Sequence, residues 1–514
     1  MASIRTALHS QSDLPDAPFA NMPCESESNS APNFSQRDQA YYRAVLSKDS
    51  RFDGVFFTGV TTTGIYCRPV CSAKKPRASS CVFYSSAAAA EAAGFRPCLR
   101  CRPELAPYAL QQNLAFGVWQ KIVAGALNEG SIEQLSEQVG LSSRQLRRVL
   151  LQEFGVTPVE LAQTQRLLFA KKLLQETNLP MLELAYAAGF GSLRRFNALF
   201  EQRYQMTPSS IRRASRDESE GLVLRLAYRP PYAWDALLAY LKGRAMPGLE
   251  AVLESGAYVR SVQMNGKSGW IKVSHLPKSG QLALQVAPSL SSVLMPLLAK
   301  VRTQFDLEAN PSVIQSHLES DALMATQMAR NPGLRVPGAF DSFELAIRAV
   351  LGQQVSVAGA TTVSGRLVQK FGEKVETPFA SVSHHFPSPA LLAQLPLEEI
   401  ASIGMPKTRA ATIQNLARFT LEGGLQVQLQ SSQEQMVAHL KTVVGIGEWT
   451  AQYIALRALR YPDAFPGGDL GLQKAAAIAP ETRLTEKQLL ARAQAWSPWR
   501  SYAALLLWQS LSEE

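Results

Sequence analysis

Four cysteines place the tightest constraint on what this chain of 514 residues can fold into. They lie in Thr61 to Cys101, TTTGIYCRPVCSAKKPRASSCVFYSSAAAAEAAGFRPCLRC, where three residues separate Cys67 from Cys71 and two separate Cys98 from Cys101. Two such knuckles bring four thiolates into a tetrahedron. Zinc suits it, because its filled d shell imposes no geometry and it accepts soft sulfur ligands. No histidine lies between the pairs, so the expected site is one Zn2+ bound by Cys67, Cys71, Cys98 and Cys101. Spacing alone leaves two readings open. The metal can simply staple a small domain, or it can also keep one thiol deprotonated as a nucleophile.

The run Thr63-Gly64-Ile65-Tyr66-Cys67-Arg68-Pro69, followed by Gly94-Phe95-Arg96-Pro97-Cys98, resembles the N-terminal zinc domain of the Ada adaptive-response family. That resemblance implies that Cys67 is both a ligand and the acceptor of a methyl group from a DNA methylphosphotriester. Lys74, Lys75 and Arg77 would offer charge to a DNA backbone, or they form a merely solvated face.

At this length the chain should hold about three or four domains. A formal charge of +10 and a sequence pI near 9.3 suit an anionic polymer such as nucleic acid. Cys24 and Cys81 are left over from the metal set, nothing resembles a disulfide framework, and a reducing compartment fits. No apolar signal core or membrane-length run occurs, so a cytoplasmic, nucleoid-associated protein without a membrane partner is expected.

Residues 1–35, rich in Ser, Pro and Asn, read as a flexible tail. Residues 36–107 read as the zinc domain, with a helix from Gln36 to Leu46 and a strand at Val55-Phe56-Phe57. Residues 108–216 contain a repeat offset by about fifty residues. Gly140-Leu141-Ser142-Ser143-Arg144 through Thr157-Pro158 recurs as Gly189-Phe190-Gly191-Ser192 through Thr207-Pro208. Each copy reads as helix, turn, helix, with capping boxes at Ser131/Gln134 and Ser142/Gln145 in the first. Leu146, Val149, Leu150 and Phe154 share an inward face, which leaves Arg144, Arg147 and Arg148 for a DNA groove. Arg194 and Arg195 are their counterparts in the second copy. Two copies joined by a long helix from Pro158 to about Glu176 resemble the AraC-type DNA-binding domain, and its place after the zinc domain is the Ada order. The Pro-Cys-His-Arg motif of the Ada-associated methyltransferase has no match here, so repair at guanine O6 is not expected.

Residues 220–300 read as a small α+β domain: a strand from Gly221 to Tyr228, a helix from Trp234, and strands near Tyr258, Trp270 to Ser274 and Gln281 to Val286. Residues 301–514 read as almost wholly helical, with a surface loop at Ser381 to Pro389 whose His384 and His385 are solvated. Ser431-Ser432-Gln433-Glu434 caps a helix, and Gly445-Ile446-Gly447 turns the chain into another from about Glu448. Such a helix-hairpin-helix brings amides against a phosphate without reading sequence. Asp469 then opens a further helix, as an N-cap, as a catalytic carboxylate, or as both.

The run Gly445 to Tyr453, Asp469, and Trp496-Ser497-Pro498-Trp499-Arg500-Ser501-Tyr502 ending at Trp508 resemble AlkA-type 3-methyladenine DNA glycosylases. The likeness extends back through Leu351 to Ser356 and Pro230-Pro231-Tyr232. It implies that Asp469 stabilises an oxocarbenium-like sugar or orients a water. It also implies that Trp449, Tyr453, Trp508 and Tyr240 stack on a flipped base, and that Gln354 stands at the intercalating position. Trp449 occupies the place where strand-cutting relatives carry lysine, so a monofunctional enzyme is implied. Gly468, Leu470 and Gly471 depart from the acidic and bulkier residues of the best-known members, which bears on pocket shape.

The expected fold class is therefore multi-domain: a small α/β zinc domain, an all-α double helix-turn-helix domain, an α+β domain, and an all-α helix-hairpin-helix core. The expected function is a methylphosphotriester-sensing activator fused to a glycosylase for alkylated purines. Its cofactors would be zinc and a monovalent cation at the hairpin; its partners, damaged and promoter double-stranded DNA and RNA polymerase. A non-enzymatic regulator, and a glycosylase whose zinc domain only recruits it to damage, are the alternatives.

Overall fold

The computed structural model describes residues 35–49, 52–106, 114–212, 222–426, 432–477 and 482–511. The expected tail up to residue 34, Cys24, and the readings at Pro107, Leu110, Arg213, Arg216, Gly221 and Ser431 lie outside the described residues.

The zinc domain opens with the helix Gln36–Ser47, capped by the Ser35 hydroxyl, which accepts from the Asp38 amide at 3.1 Å. A four-stranded sheet follows in the order β3-β1-β2-β4, with β1 Phe57–Val60, β2 Ile65–Cys67, β3 Cys81–Tyr84 and β4 Arg96–Pro97. The expected strand at residues 55–57 is displaced, for β1 starts only at Phe57. Phe56 is instead held by aromatic packing, stacked on Tyr41 at 4.1 Å and edge-on to Phe83 at 5.5 Å.

The helical repeat forms as its pattern requires. Both capping boxes close, and the connecting helix runs Pro158–Glu176 with a third box between Thr157 and Glu160. The second helices of the two copies are Ser143–Phe154 and Leu193–Tyr204. Leu146, Leu150, Phe196 and Phe200 are fully buried, Val149 and Phe154 partly so, while Arg144, Arg147, Arg148, Arg194 and Arg195 are exposed.

Next comes an antiparallel sheet in the order β5-β9-β8-β7-β6: β5 Leu222–Ala227, β6 Glu250–Val252, β7 Tyr258–Met264, β8 Lys267–Leu276 and β9 Gln281–Val286. The helix Trp234–Lys242 lies between β5 and β6 in the chain. Strand β6 has no alternating pattern, since all three of its residues are half-buried, and it exists because β7 pairs with it.

The sheet does not keep its own core. Leu167, Leu173, Leu184, Phe196 and Phe200 of the helical repeat join Leu224, Leu226, Val273, Leu284 and Phe305 in one buried cluster. A polar bond pins the same junction, Glu176 accepting from the Arg225 amide at 3.0 Å, and Arg229 ties the sheet domain to the zinc domain by donating to the Asp53 carbonyl at 2.6 Å. The helical repeat and the sheet domain thus share a hydrophobic interior.

The expectation that His384 and His385 are solvated is corrected for His385, which is 2% exposed and half-buried His384 is tied in beside it. The His385 ring bonds Ser268 at 2.7 Å, and the amides of Ser383 and His384 donate to the Gly248 carbonyl at 2.8 and 2.9 Å. This segment crosses the edge of the sheet, where its backbone donors need partners and the ring is covered as a result.

The remaining helices pack around Ser342–Leu351, whose Ala346, Ile347 and Val350 are wholly buried against the hairpin helix Glu448–Arg457. Among the described residues no helix is long and apolar enough to cross a membrane.

Candidate functional site

Two centres stand apart in the chain, and the first is the cysteine cluster. Cys67 ends β2, and β4 runs parallel beside it, with the Cys98 amide donating to the Tyr66 carbonyl at 3.0 Å. That pairing brings the knuckles together, so the four sulfurs of Cys67, Cys71, Cys98 and Cys101 lie within 4.8 Å of one another. Four thiols at that separation with no other ligand type fit a tetrahedral zinc. Arg68 braces the knuckle from behind: its amide points at Cys101 Sγ at 3.4 Å, and its guanidinium bonds the Cys101 carbonyl at 3.1 Å and forms an ion pair with Asp53.

Cys98 is buried, whereas Cys67 and Cys71 are partly open beneath a groove of about 550 Å³. Thr62, Thr63, Lys74, Lys75 and Arg77 line that groove. Cys81 is not part of the cluster. Burial pushes its thiol up to about 11, and it bonds the Arg77 carbonyl at 3.3 Å, which is the behaviour of a packing group. Tyr66, next to Cys67, donates to Glu91 at 3.0 Å, and Thr164 and Tyr204 reach the same carboxylate at 3.0 and 3.4 Å. Glu91 therefore ties the zinc domain to the connecting helix and to the second copy of the helical repeat, a link that sequence spacing did not reveal.

The second centre is built on the hairpin. Gly445 has φ +96°, and a Cβ there would sit 1.9 Å from Thr412 Oγ1, so only glycine fits. Gly447 differs: nothing lies within 4 Å of the Cβ it lacks, and as the N-cap of Glu448–Arg457 it has no side chain to occupy the first-turn amides. Those amides have no side-chain cap, the arrangement that can accept a phosphate. Gly445→Ala is expected to lower thermal stability by roughly 2 kcal/mol or more and to weaken DNA binding about tenfold, checked by melting and by equilibrium binding.

Asp469 lies beside this helix, held by three donors. Trp449 Nε1 reaches Oδ2 at 2.9 Å, while Trp508 Nε1 and the Leu472 amide reach Oδ1 at 3.1 and 3.0 Å. The carboxylate is thus an N-cap as well as a fixed, half-buried group. Trp449 stacks on Tyr453 at 5.4 Å with 13° between planes, and Trp508 meets Tyr453 at 6.0 Å and 61°. Both tryptophans therefore orient the carboxylate in addition to forming an aromatic wall. Tyr240 joins them from the sheet domain, with the Arg244 guanidinium 3.8 Å over its ring and Arg457 bonded to its hydroxyl.

Gln354 is exposed at φ +55° in the turn after Ser342–Leu351. Its neighbour Gln353 fastens that turn to the hairpin, donating to the Gly445 carbonyl at 2.9 Å and to Thr450 Oγ1 at 3.0 Å. Gln353, Arg244, Arg348 and Arg457 were not singled out from sequence. Arg457 had a findable signal, four residues after Tyr453 on one helix; the others come from distant elements.

Four family models match successive stretches: the metal binding domain of Ada over residues 40–104, a helix-turn-helix domain over 135–214, the AlkA N-terminal domain over 223–341, and the HhH-GPD superfamily of base excision DNA repair proteins over 347–501. The probable bifunctional transcriptional activator/DNA repair enzyme AlkA of Mycobacterium tuberculosis is 37% identical over 483 residues, which are 91% of this chain and 96% of that one. DNA-3-methyladenine glycosylase 2 of Escherichia coli is 35% identical over 284 residues, 55% of this chain and 95% of that one. The bifunctional transcriptional activator/DNA repair enzyme Ada of Escherichia coli is 38% identical over 121 residues, 24% of this chain and 34% of that one.

Proposed function

We propose a function on the premise that the chain belongs to the family of bifunctional transcriptional activator/DNA repair enzymes in which an Ada-type module precedes an AlkA-type glycosylase. It is a DNA repair glycosylase fused to a regulatory module with a four-cysteine zinc site, and DNA is its partner. The finer reading is that it excises alkylated purines such as 3-methyladenine and that Cys67 takes a methyl group from a methylphosphotriester.

One observation carries the glycosylase reading: a carboxylate, Asp469, is fastened by two indoles beside a hairpin helix whose first turn has no side-chain cap. Cleavage of the N-glycosidic bond leaves the electron pair on the departing base and positive charge on the sugar. A carboxylate whose position is fixed in advance stabilises that charge without reorganising. The base turns into the pocket of Trp449, Tyr453 and Trp508, where a cationic alkylpurine gains on the order of 1 to 2 kcal/mol from each desolvated ring contact. Lysine is absent at residue 449, so water rather than an enzyme amine completes the reaction. Gln354 would fill the space left by the flipped nucleotide.

In the regulatory half, zinc would be held by Cys67, Cys71, Cys98 and Cys101 and would keep their thiols ionised. Cys67 Sγ then forms a bond to the methyl carbon as the carbon–oxygen bond breaks, and the electron pair remains on the restored phosphodiester. The groove with Lys74, Lys75 and Arg77 suits the flanking phosphates. The link from Tyr66 through Glu91 to Thr164 and Tyr204 would carry the change to the arginine-bearing helices, which would hold a promoter for RNA polymerase.

The experiment is incubation with DNA carrying both methylphosphotriesters and methylated purines, followed by mass spectrometry of protein and released bases. The expected result is one added methyl on the peptide containing Cys67 together with free 3-methyladenine. Absence of either product removes that half of the reading.

A further inference from the structure

Asp53 is held from both halves of the chain. Its carboxylate takes the forked guanidinium of Arg68, with Nε at 2.8 Å from Oδ1 and Nη2 on Oδ2. Arg68 follows the ligand Cys67 and spans to the other knuckle, where its amide points at Cys101 Sγ and its guanidinium donates to the Cys101 carbonyl. The Asp53 carbonyl, in turn, accepts from Arg229 Nη2 at 2.6 Å, a partner 176 residues further along the chain. Arg229 is fixed within the glycosylase half. It is 2% exposed, its Nη1 donates to the Glu308 carbonyl at 2.8 Å, and its own carbonyl accepts from Arg335, which also bonds the Pro231 and Ala309 carbonyls at 3.0 and 3.2 Å. Asp53 is buried but lies outside the four-stranded sheet, with an isolated bridge to Phe56. A buried carbonyl without a place in a ladder needs a donor from elsewhere, and Arg229 supplies it.

We propose that Arg229 is a positioning residue for the zinc centre: by holding the Asp53 main chain it holds Arg68, and through Arg68 the placing of the Cys101 knuckle against Cys67. The regulatory half then keeps its metal firmly only while docked on the glycosylase half. This holds whatever group Cys67 accepts, and so goes beyond the methyl-transfer reading. Groups that orient metal ligands from behind set how tightly the metal is kept, and losing one weakens retention by about 10- to 100-fold. The route is short, with one side chain, one residue and one more side chain between the glycosylase half and the cysteines. Arginine suits the first step, because its rigid fork reaches the Asp53 and Glu308 carbonyls at once, whereas a lysine ammonium on a flexible stem fixes neither direction. Binding linkage makes the effect reciprocal. Whatever docking adds to metal retention, the metal adds to docking, and its loss loosens the chain around Arg229 and Glu308.

The test is the rate at which the zinc-loaded full chain gives up its metal to a chromogenic chelator, with a melting curve as the folding control. Arg229→Met should lose zinc about tenfold faster than the native chain. Asp53→Asn should do the same, and the double variant should lose it no faster than the faster single one, because Arg229 acts through Asp53. Gln120→Met cuts another bond between the halves, from Gln120 to the Glu308 carboxylate at 3.2 Å, but leaves the route through Asp53 intact. Its zinc loss should stay within about twofold of native, which separates positioning from a general weakening of the junction. On the native chain, where no substitution can disturb folding, removing zinc should speed hydrogen exchange around Arg229 and Glu308 but not in the distant helix Arg500–Ser510. Native-like zinc loss in folded Arg229→Met, equal acceleration in Gln120→Met, or additive acceleration in the double variant overturns the proposal. Unchanged exchange around Arg229 in the zinc-free native chain does so as well. Native protein that holds no zinc overturns the proposal and the metal site together.

Discussion

Asp469→Asn is expected to slow release of 3-methyladenine by two orders of magnitude or more while affinity for undamaged DNA stays within about threefold. The carboxamide has the shape of the carboxylate and caps a helix equally well, so the bond from the Leu472 amide survives and the short helix Leu470–Ala475 persists. What it lacks is the negative charge, and it places an amide nitrogen where one indole N–H needs an acceptor. Losing electrostatic stabilisation of the sugar cation costs about 3 kcal/mol, which is the expected two orders in rate. On the proposed reading phosphate contacts come from the hairpin amides and should be unaffected. Single-turnover kinetics and equilibrium binding on the same duplex, with a melting curve as the folding control, decide the matter. A release rate near that of the native chain would take Asp469 out of the chemistry.

The second large effect is expected at Cys67. Four thiolates around zinc carry a net charge of about −2, and turning one into a methyl thioether leaves about −1. A unit charge ~8 Å from a phosphate is worth roughly 2 kcal/mol at an effective dielectric of ~20 before salt screening. Methylation of the native chain should therefore tighten promoter binding by one to two orders of magnitude, about 1.4 to 2.8 kcal/mol, and by less at higher salt. Cys67→Ala should take up no methyl group and show no such gain after exposure to alkylated DNA. Equal affinities for methylated and unmodified protein at two salt concentrations would sink the electrostatic switch, whatever the fate of the methyl group.

What the sequence made legible was local. A serine three residues before a glutamine closes a capping box whatever the rest of the chain does, and Ser131 and Ser142 both did so. The helix Pro158–Glu176 and the start of the hairpin helix at Glu448 follow from proline, glycine and helical periodicity in the same way. The cysteine spacing brought four sulfurs together because two-residue and three-residue knuckles leave little choice. The unread parts depend on partners far along the chain. Strand β6 exists through β7, and His385 is buried because a chain reversal places it against Ser268. Phe56 left the expected strand for Tyr41 and Phe83. At the pocket, the aromatic and acidic residues could be named from their motif, but the bonds between them could not. Arg244 and Arg348 lie about two hundred and about a hundred residues before Tyr453, respectively, and carry no motif of their own, so only the folded chain brings their charge near it.

The interior shared by the helical repeat and the sheet also sets a timetable for synthesis. The helix containing Leu167 and Leu173 and the helix containing Phe196 and Phe200 emerge first, yet the last of the strands that cover them, and Phe305 after it, come about a hundred residues later. At 5 to 20 residues per second, translation leaves that apolar face open for on the order of 10 s. During that interval the nascent regulator is a surface for chaperones, and it becomes a finished DNA-binding body only when the enzyme behind it has been made.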